Sequence, residues 1–152
     1  MIGWLLDTNV VASLISTRGA PSVKSWASHQ NEATLFLSVL TLAEYDKGIH
    51  NLDPSDPNRS RYAASRDALE ARFAGRVLSL SDGCVRRWGA IMGEVQRRAG
   101  RAPSVIDTLL AATAIEHDLF LVTRNVKDVA QSGAAIFNPW LDDESAFPLA
   151  SR

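Results

Sequence analysis

Short apolar runs alternate with amphipathic stretches along nearly the whole chain, and few architectures accommodate that alternation. Gly3–Leu6, Thr34–Leu37, Val77–Leu80, Leu119–Thr123 and Ala135–Phe137 read as strands. Between them, Asn9–Ser16, Val23–His29, Leu42–His50, Tyr62–Phe73, Cys84–Ala99 and Val105–Glu116 carry helical patterns. Brief, nearly continuous apolar strands separated by helices predict a parallel sheet covered on both faces, an α/β fold. The stretch "NLDPSDPNRS" is a loop, with two prolines among turn-forming Asp, Ser and Asn, and "AGRAPS" separates two helices. A chain of 152 residues is most simply one domain. We place that domain at residues 1–140 and expect the polar tail at 141–152 to fray.

Composition removes several classes. The single cysteine, Cys84, cannot form an internal disulfide, and no Cys/His cluster has zinc-ligand spacing. Cys84 beside Val85 in a helical pattern is expected to be a packed core thiol. No segment reaches the ~20 apolar residues of a membrane span. The first sixteen residues are apolar, but Asp7 interrupts them and no Lys or Arg precedes them, so a signal peptide is not expected. A soluble, cytoplasmic protein is the expectation. The net charge of −1 conceals an asymmetry: Arg59 to Arg101 holds ten Arg and four acids, a sum of +6. Such a run is ordinarily a solvated helix face, and it becomes a nucleic-acid surface only if the arginines share one side.

Three acids stand where a folding argument alone would not require them. Asp7 closes the first strand, Glu44 follows the second in "LSVLTLAEYDKGIH", and Asp107 opens the helix of "APSVIDTLLAATAIEHD". In parallel sheets, ligand sites gather at the carboxyl ends of strands, where helices begin. Helix starts also favour acids for local reasons: Thr41-x-x-Glu44 and Ser104-x-x-Asp107 fit the capping-box spacing, and acids suit the helix dipole. A boxed helix already has its Ser or Thr, which leaves the acid's side chain available for other work. Two carboxylates ~5 Å apart repel by about 3 kcal/mol at an effective dielectric of 20. A divalent cation relieves that repulsion, and oxygen-only ligands select Mg²⁺ or Mn²⁺ over zinc. On the residues alone, cap and cation-site readings both stay open.

The motifs "LLDTNVV", "TLAEYDKGI", "VIDTLLAATAIEHDLFLVTRNVKDV" and "FNPW", in that order from Ile2 to about Trp140, resemble those of PIN-domain proteins. More narrowly they are similar to the ribonuclease toxins of the VapC and FitB type. The resemblance implies a three-layer sandwich with a mostly parallel central sheet, and a Mg²⁺-dependent endoribonuclease that inhibits growth by cleaving cellular RNA. It also implies a homodimer and a cognate antitoxin, usually a small DNA-binding protein. Carried over by motif, Asp7, Glu44 and Asp107 form the acidic metal-binding core, with Mn²⁺ a possible substitute for Mg²⁺. Thr8 and Asn9 fall in the same motif and support the pocket. Family members often add a fourth acid near "VTRNVKDV"; here Asn125 follows Arg124 and the next acid is Asp128. Asn125 is therefore expected at the pocket edge, and Asp128 at its periphery as a catalytic acid acting through a metal-bound water or a second ion.

Two rivals were weighed against that reading. A phosphohydrolase of the haloacid-dehalogenase class needs a second Asp two residues after the first, where Asn9 stands. A degenerate PIN domain acting only as an interaction module would lack a core acid, and all three are present. None of His29, His50 and His117 sits inside a motif, which disfavours a metal-free, histidine-based ribonuclease.

Overall fold

In the computed structural model, which describes residues 1–151, five parallel strands form one sheet in the order β3-β2-β1-β4-β5. The strands are β1 (Gly3–Leu6), β2 (Leu35–Ser38), β3 (Val77–Leu78), β4 (Leu119–Val122) and β5 (Ile136–Phe137). Seven helices connect them: α1 (Thr8–Ile15), α2 (Pro21–His29), α3 (Val39–Asn51), α4 (Asn58–Arg72), α5 (Asp82–Ala99), α6 (Val105–Glu116) and α7 (Val126–Val129). The chain builds outward from β1 through β2 to β3, then returns to the other side of β1 for β4 and β5. The order thus reverses between β1 and β4, and a crevice opens there beyond the strands' carboxyl ends.

Strand residues alternate strictly between two cores, as a period of two requires. Trp4, Leu6, Leu35, Leu37, Phe120, Val122 and Phe137 face a layer contributed by α1 to α4. Leu5, Phe36, Leu119, Leu121 and Ile136 face α6. Every strand is therefore apolar on both sides, which explains their unbroken hydrophobic appearance. Helix α6 is apolar nearly all round because it lies between the sheet and α5, whose Trp88, Ile91 and Val95 pack on Ala112 and Ile115. The expected three-layer arrangement is present, with α5 as an additional outer cover. Cys84 is buried, as expected of a packed thiol.

Four differences from the sequence reading have clear physical causes. Helix α3 begins at Val39, capped by Ser38, whose hydroxyl accepts from the Leu40 amide at 3.0 Å. Thr41 is therefore not the cap, and Glu44 lies more than a turn inside the helix instead of opening it. Helix α4 starts at Asn58, four residues early, so the loop shrinks to residues 52–57. Strand β3 pairs over only two residues, because it is the sheet edge. The tail does not fray. Asn138 begins a turn, its side-chain oxygen accepting from the Trp140 amide at 3.0 Å. Beyond it Phe147 packs edge-on to Phe137 and Phe120, Leu149 joins the same core, and the Ala150 amide donates to the Met1 carbonyl at 2.8 Å. Two apolar side chains in an otherwise polar tail are enough to seat it.

Candidate functional site

The crevice between β1 and β4 is organised around Asp7. Its backbone amide donates to the Val122 carbonyl at 2.9 Å, extending the β1–β4 ladder by one residue and fixing the carboxylate at the strand end. One carboxylate oxygen accepts from the Thr8 amide at 2.7 Å and so caps α1. The other accepts from the Thr123 hydroxyl at 2.7 Å and from the Asn9 side-chain amide at 3.1 Å. Asn9 in turn accepts from the Arg124 amide at 3.3 Å, and the Asn125 amide donates to the Thr123 hydroxyl at 3.0 Å. The cap reading of Asp7 therefore holds for one oxygen, while the other belongs to a hydrogen-bond network across the crevice.

Glu44 reaches the same place from within α3. It accepts a hydrogen bond from the Thr8 hydroxyl, which lies 3.2 Å from the hydroxyl of buried Thr41. Asp107 stands in the first turn of α6, where Ser104 supplies the cap through a 3.5 Å contact with the Asp107 amide, so the carboxylate itself is uncommitted. The three acids act on one another. Burial pushes the Asp7 carboxyl above its ordinary value, and the charges of Asp107 and Glu44 push it further up, against the bonds from Thr123 and Thr8. None of the three carboxylates is ion-paired with a described residue.

This donor set suits a hard divalent cation: carboxylates and hydroxyls only, with uncompensated negative charge and Asp7 held in place by three hydrogen bonds. As the side chains stand, no group of three Asp, Glu, His or Cys among the described residues is set to hold a metal ion directly. Mg²⁺ does not require one, since it usually keeps several waters and binds through one or two carboxylates.

The outlying residues are placed differently. Asn125 precedes α7, exposed, with its backbone tied to Thr123 and no side-chain cap bond. Asp128 is exposed on α7 and does not join the three acids; the charges felt at Asp7 are those of Asp107 and Glu44. It lines two clefts that include none of them, one with Arg101, Ser104, Thr108, Lys127 and Gln131 and one with Arg124, Asn125 and Asn138. Thr123 is the site residue that the sequence reading missed. Its only signal is a polar residue closing an apolar strand, the same signal that Asp7 gives at the end of β1.

The arginine run does not form one open basic face. Arg66 pairs with Asp46 and Asp67, Arg72 and Arg76 with Glu32, and Arg87 with Glu116. Arg59 and Arg98 donate to backbone carbonyls. Arg61, Arg86, Arg97 and Arg101 make no ion pair with a described residue.

A doubly wound sheet with buried Asp7 at its switch point and two further acids beside it defines the class. The PIN domain model matches residues 4–130, and the chain belongs to the PIN domain family. Within that family it is similar to the VapC ribonuclease Y4jK of Sinorhizobium fredii, 30% identical over 90% of this chain and 96% of that one. It is 27% identical to toxin FitB of Neisseria gonorrhoeae, over 91% of this chain and 99% of that one. Among solved structures, FitAB bound to a DNA fragment superposes with a TM-score of 0.79 at 25% identity, covering 92% of this chain and 97% of the other.

Proposed function

We propose that this protein is the toxin of a toxin–antitoxin pair, a Mg²⁺-dependent endoribonuclease that inhibits growth by cleaving cellular RNA. One observation carries the reading: a buried aspartate, its carboxyl pushed up by burial and by two neighbouring carboxylates, at the switch point of the sheet. The relatives that carry the names ribonuclease and toxin align with it nearly end to end, which supports the same conclusion. Asp7, Glu44 and Asp107 would hold the ion, Mg²⁺ or Mn²⁺. When bound, such an ion supplies an activated water and neutralises charge on the scissile phosphate. Thr123 and Asn9 keep the Asp7 carboxylate oriented, and Thr8 does the same for Glu44. We assign Asp128 to the periphery, in the neighbouring cleft beyond Ser104, where it would meet metal-bound water or substrate. Arg101 and Lys127, in the cleft beside Ser104, offset repulsion between the acids and the RNA backbone.

The proposed partners are a small DNA-binding antitoxin, supported by the FitAB–DNA likeness, and a second copy of the chain. Exposed apolar side chains available to a dimer sit at the starts of α3 and α6 (Val39, Val105, Ile106), as well as at the end of α1 (Ile15). Incubation of purified protein with single-stranded RNA in Mg²⁺, Mn²⁺ or EDTA tests the reading, with light scattering at tens of micromolar reporting the dimer. Cleavage should require metal, and Asp7→Asn, Glu44→Gln and Asp107→Asn should each reduce it at least about 100-fold. Asp128→Asn should raise the Mg²⁺ needed for half-maximal cleavage. Equal rates in EDTA and Mg²⁺ would sink the mechanism.

A further inference from the structure

We infer that the groove beside Glu44 is a subsite for one unpaired nucleobase of the RNA, with Tyr62 as the face on which the base stacks. The inference rests on the ribonuclease reading and adds where the strand lies. The groove encloses about 410 Å³, within the ~300–1,000 Å³ of small-ligand sites, and it begins at Thr8 and Glu44, so it is continuous with the acidic crevice. Past Glu44 its walls carry no charge: Ala12 from α1, Tyr45 and Gly48 from α3, Leu52 after it, and Tyr62 from α4. A phosphate has no partner there. The flat, weakly polar face of a base does, because stacking on an aromatic ring needs no hydrogen-bond match.

Two further observations point to the same ligand. Tyr62 is an exposed aromatic, and the guanidinium of Arg61 lies 5.8 Å from its ring centroid without an acidic partner among the described residues. That cation lies over the Tyr62 ring and is not itself a wall of the groove, which leaves it free to meet the phosphate that follows a base lodged there. Carboxylates suited to a metal-bound phosphate, then a neutral aromatic trough, then a free cation reproduce the order phosphate, base, phosphate. Gly48 is the second observation. Glycine inside a helix costs about 0.5–1 kcal/mol relative to alanine. No close packing accounts for it here, since a Cβ added at Gly48 would meet no atom within 4 Å. Its effect is to keep the floor of the groove open. An apolar side chain of a protein partner would also suit the walls, but the unpaired cation and the continuity with the acids favour the base.

Fluorescence anisotropy of a labelled seven-nucleotide RNA in EDTA tests this, using the intact oligomer and a series with a single abasic position. For the full-length protein, one abasic position should weaken binding at least about 5-fold, and Tyr62→Ala should weaken binding of the intact oligomer by a similar factor. The abasic change should then cost Tyr62→Ala nothing more, while Tyr62→Phe keeps wild-type affinity. Gly48→Leu, which places a side chain in the groove while leaving both tyrosines in the sequence, should reproduce the loss. If Tyr62→Ala and Gly48→Leu bind the intact RNA as the wild type does, the groove serves a protein side chain or nothing, and the inference is overturned. A wild-type protein that binds none of the oligomers overturns the ribonuclease reading as well, so the two failures are distinct.

Discussion

Asp7 shows how one residue can serve folding and chemistry at some cost to stability. Its carboxyl is pushed above its ordinary 3.8, chiefly by burial and then by Asp107 and Glu44. For an acid whose folded pKa is raised, the native state binds more protons than the unfolded one, so stability falls as pH rises from 3.8 through the raised value. Removing the titratable group removes that slope. In EDTA, the melting temperature of the wild type should therefore decline relative to Asp7→Asn as pH rises across the window, and Mg²⁺ should shrink the difference. A gap between the two proteins that stays constant across the window would show that Asp7 does not carry the strain. At this scale the sequence was informative where chemistry is local. That Asp7, Glu44 and Asp107 gather at one edge was legible because each is an acid set among apolar neighbours, Asp7 at a strand end and the other two within helices. Thr123 was not, because its role is a hydrogen bond to a residue 116 positions away.

Elements were legible to the extent that their own pattern determined them. Helix α6 was read to the residue, since Ser104 caps it and the apolar run ends at Glu116. Helix α3 was read three residues late, because its start depends on Ser38, which also ends a strand and looks like part of it. Side-chain pairings between elements were not legible at all. Glu32, in the turn before β2, accepts from Arg72 at 2.8 Å and 3.1 Å, and Arg76 closes over it while donating to the Leu35 carbonyl at 2.6 Å. This clasp ties the start of β2 to the end of α4 and the entry to β3, and it withdraws two arginines from any shared basic face. The hydrogen bonds from Arg72, then its charge and Arg76, hold the Glu32 carboxyl below its ordinary 4.5. Its contribution is therefore complete above 4.5 and lost as pH falls through the lowered value. With Glu32 about half exposed, solvent screening limits that contribution to roughly 0.5–1 kcal/mol. Glu32→Gln should lower the melting temperature at neutral pH, and the difference should vanish as pH falls through the lowered Glu32 value. A loss of equal size on both sides of that value would assign the effect to packing instead.

For the molecule as a whole, the chain's last stretch belongs to the core. Phe147 and Leu149 cover the aromatic cluster of Trp4, Trp26, Phe120 and Phe137, and Ala150 bonds to Met1. Ending the chain after Trp140 should cost roughly 2–3 kcal/mol, read as a lower denaturant midpoint, from partial exposure of those two side chains and their aromatic contacts. An unchanged midpoint would restore the fraying tail that its polar composition suggested. Composition misled there because a segment docks by a few well-placed apolar residues, whatever its average polarity.

The bond between Asp7 and Thr123 also has a meaning in time. Asp7 is made well before its partner, since Thr123, at the end of the strand that shelters it, follows 116 residues later. At about 5–20 residues per second, that is a delay of roughly 6–23 s during synthesis. Until β4 pairs along β1, Asp7 sits at an open sheet edge, hydrated, and Asp107 has no packed helix to hold it in place. The acidic crevice is thus incomplete for most of the elongation period, and any activity it carries begins only when the late strand docks.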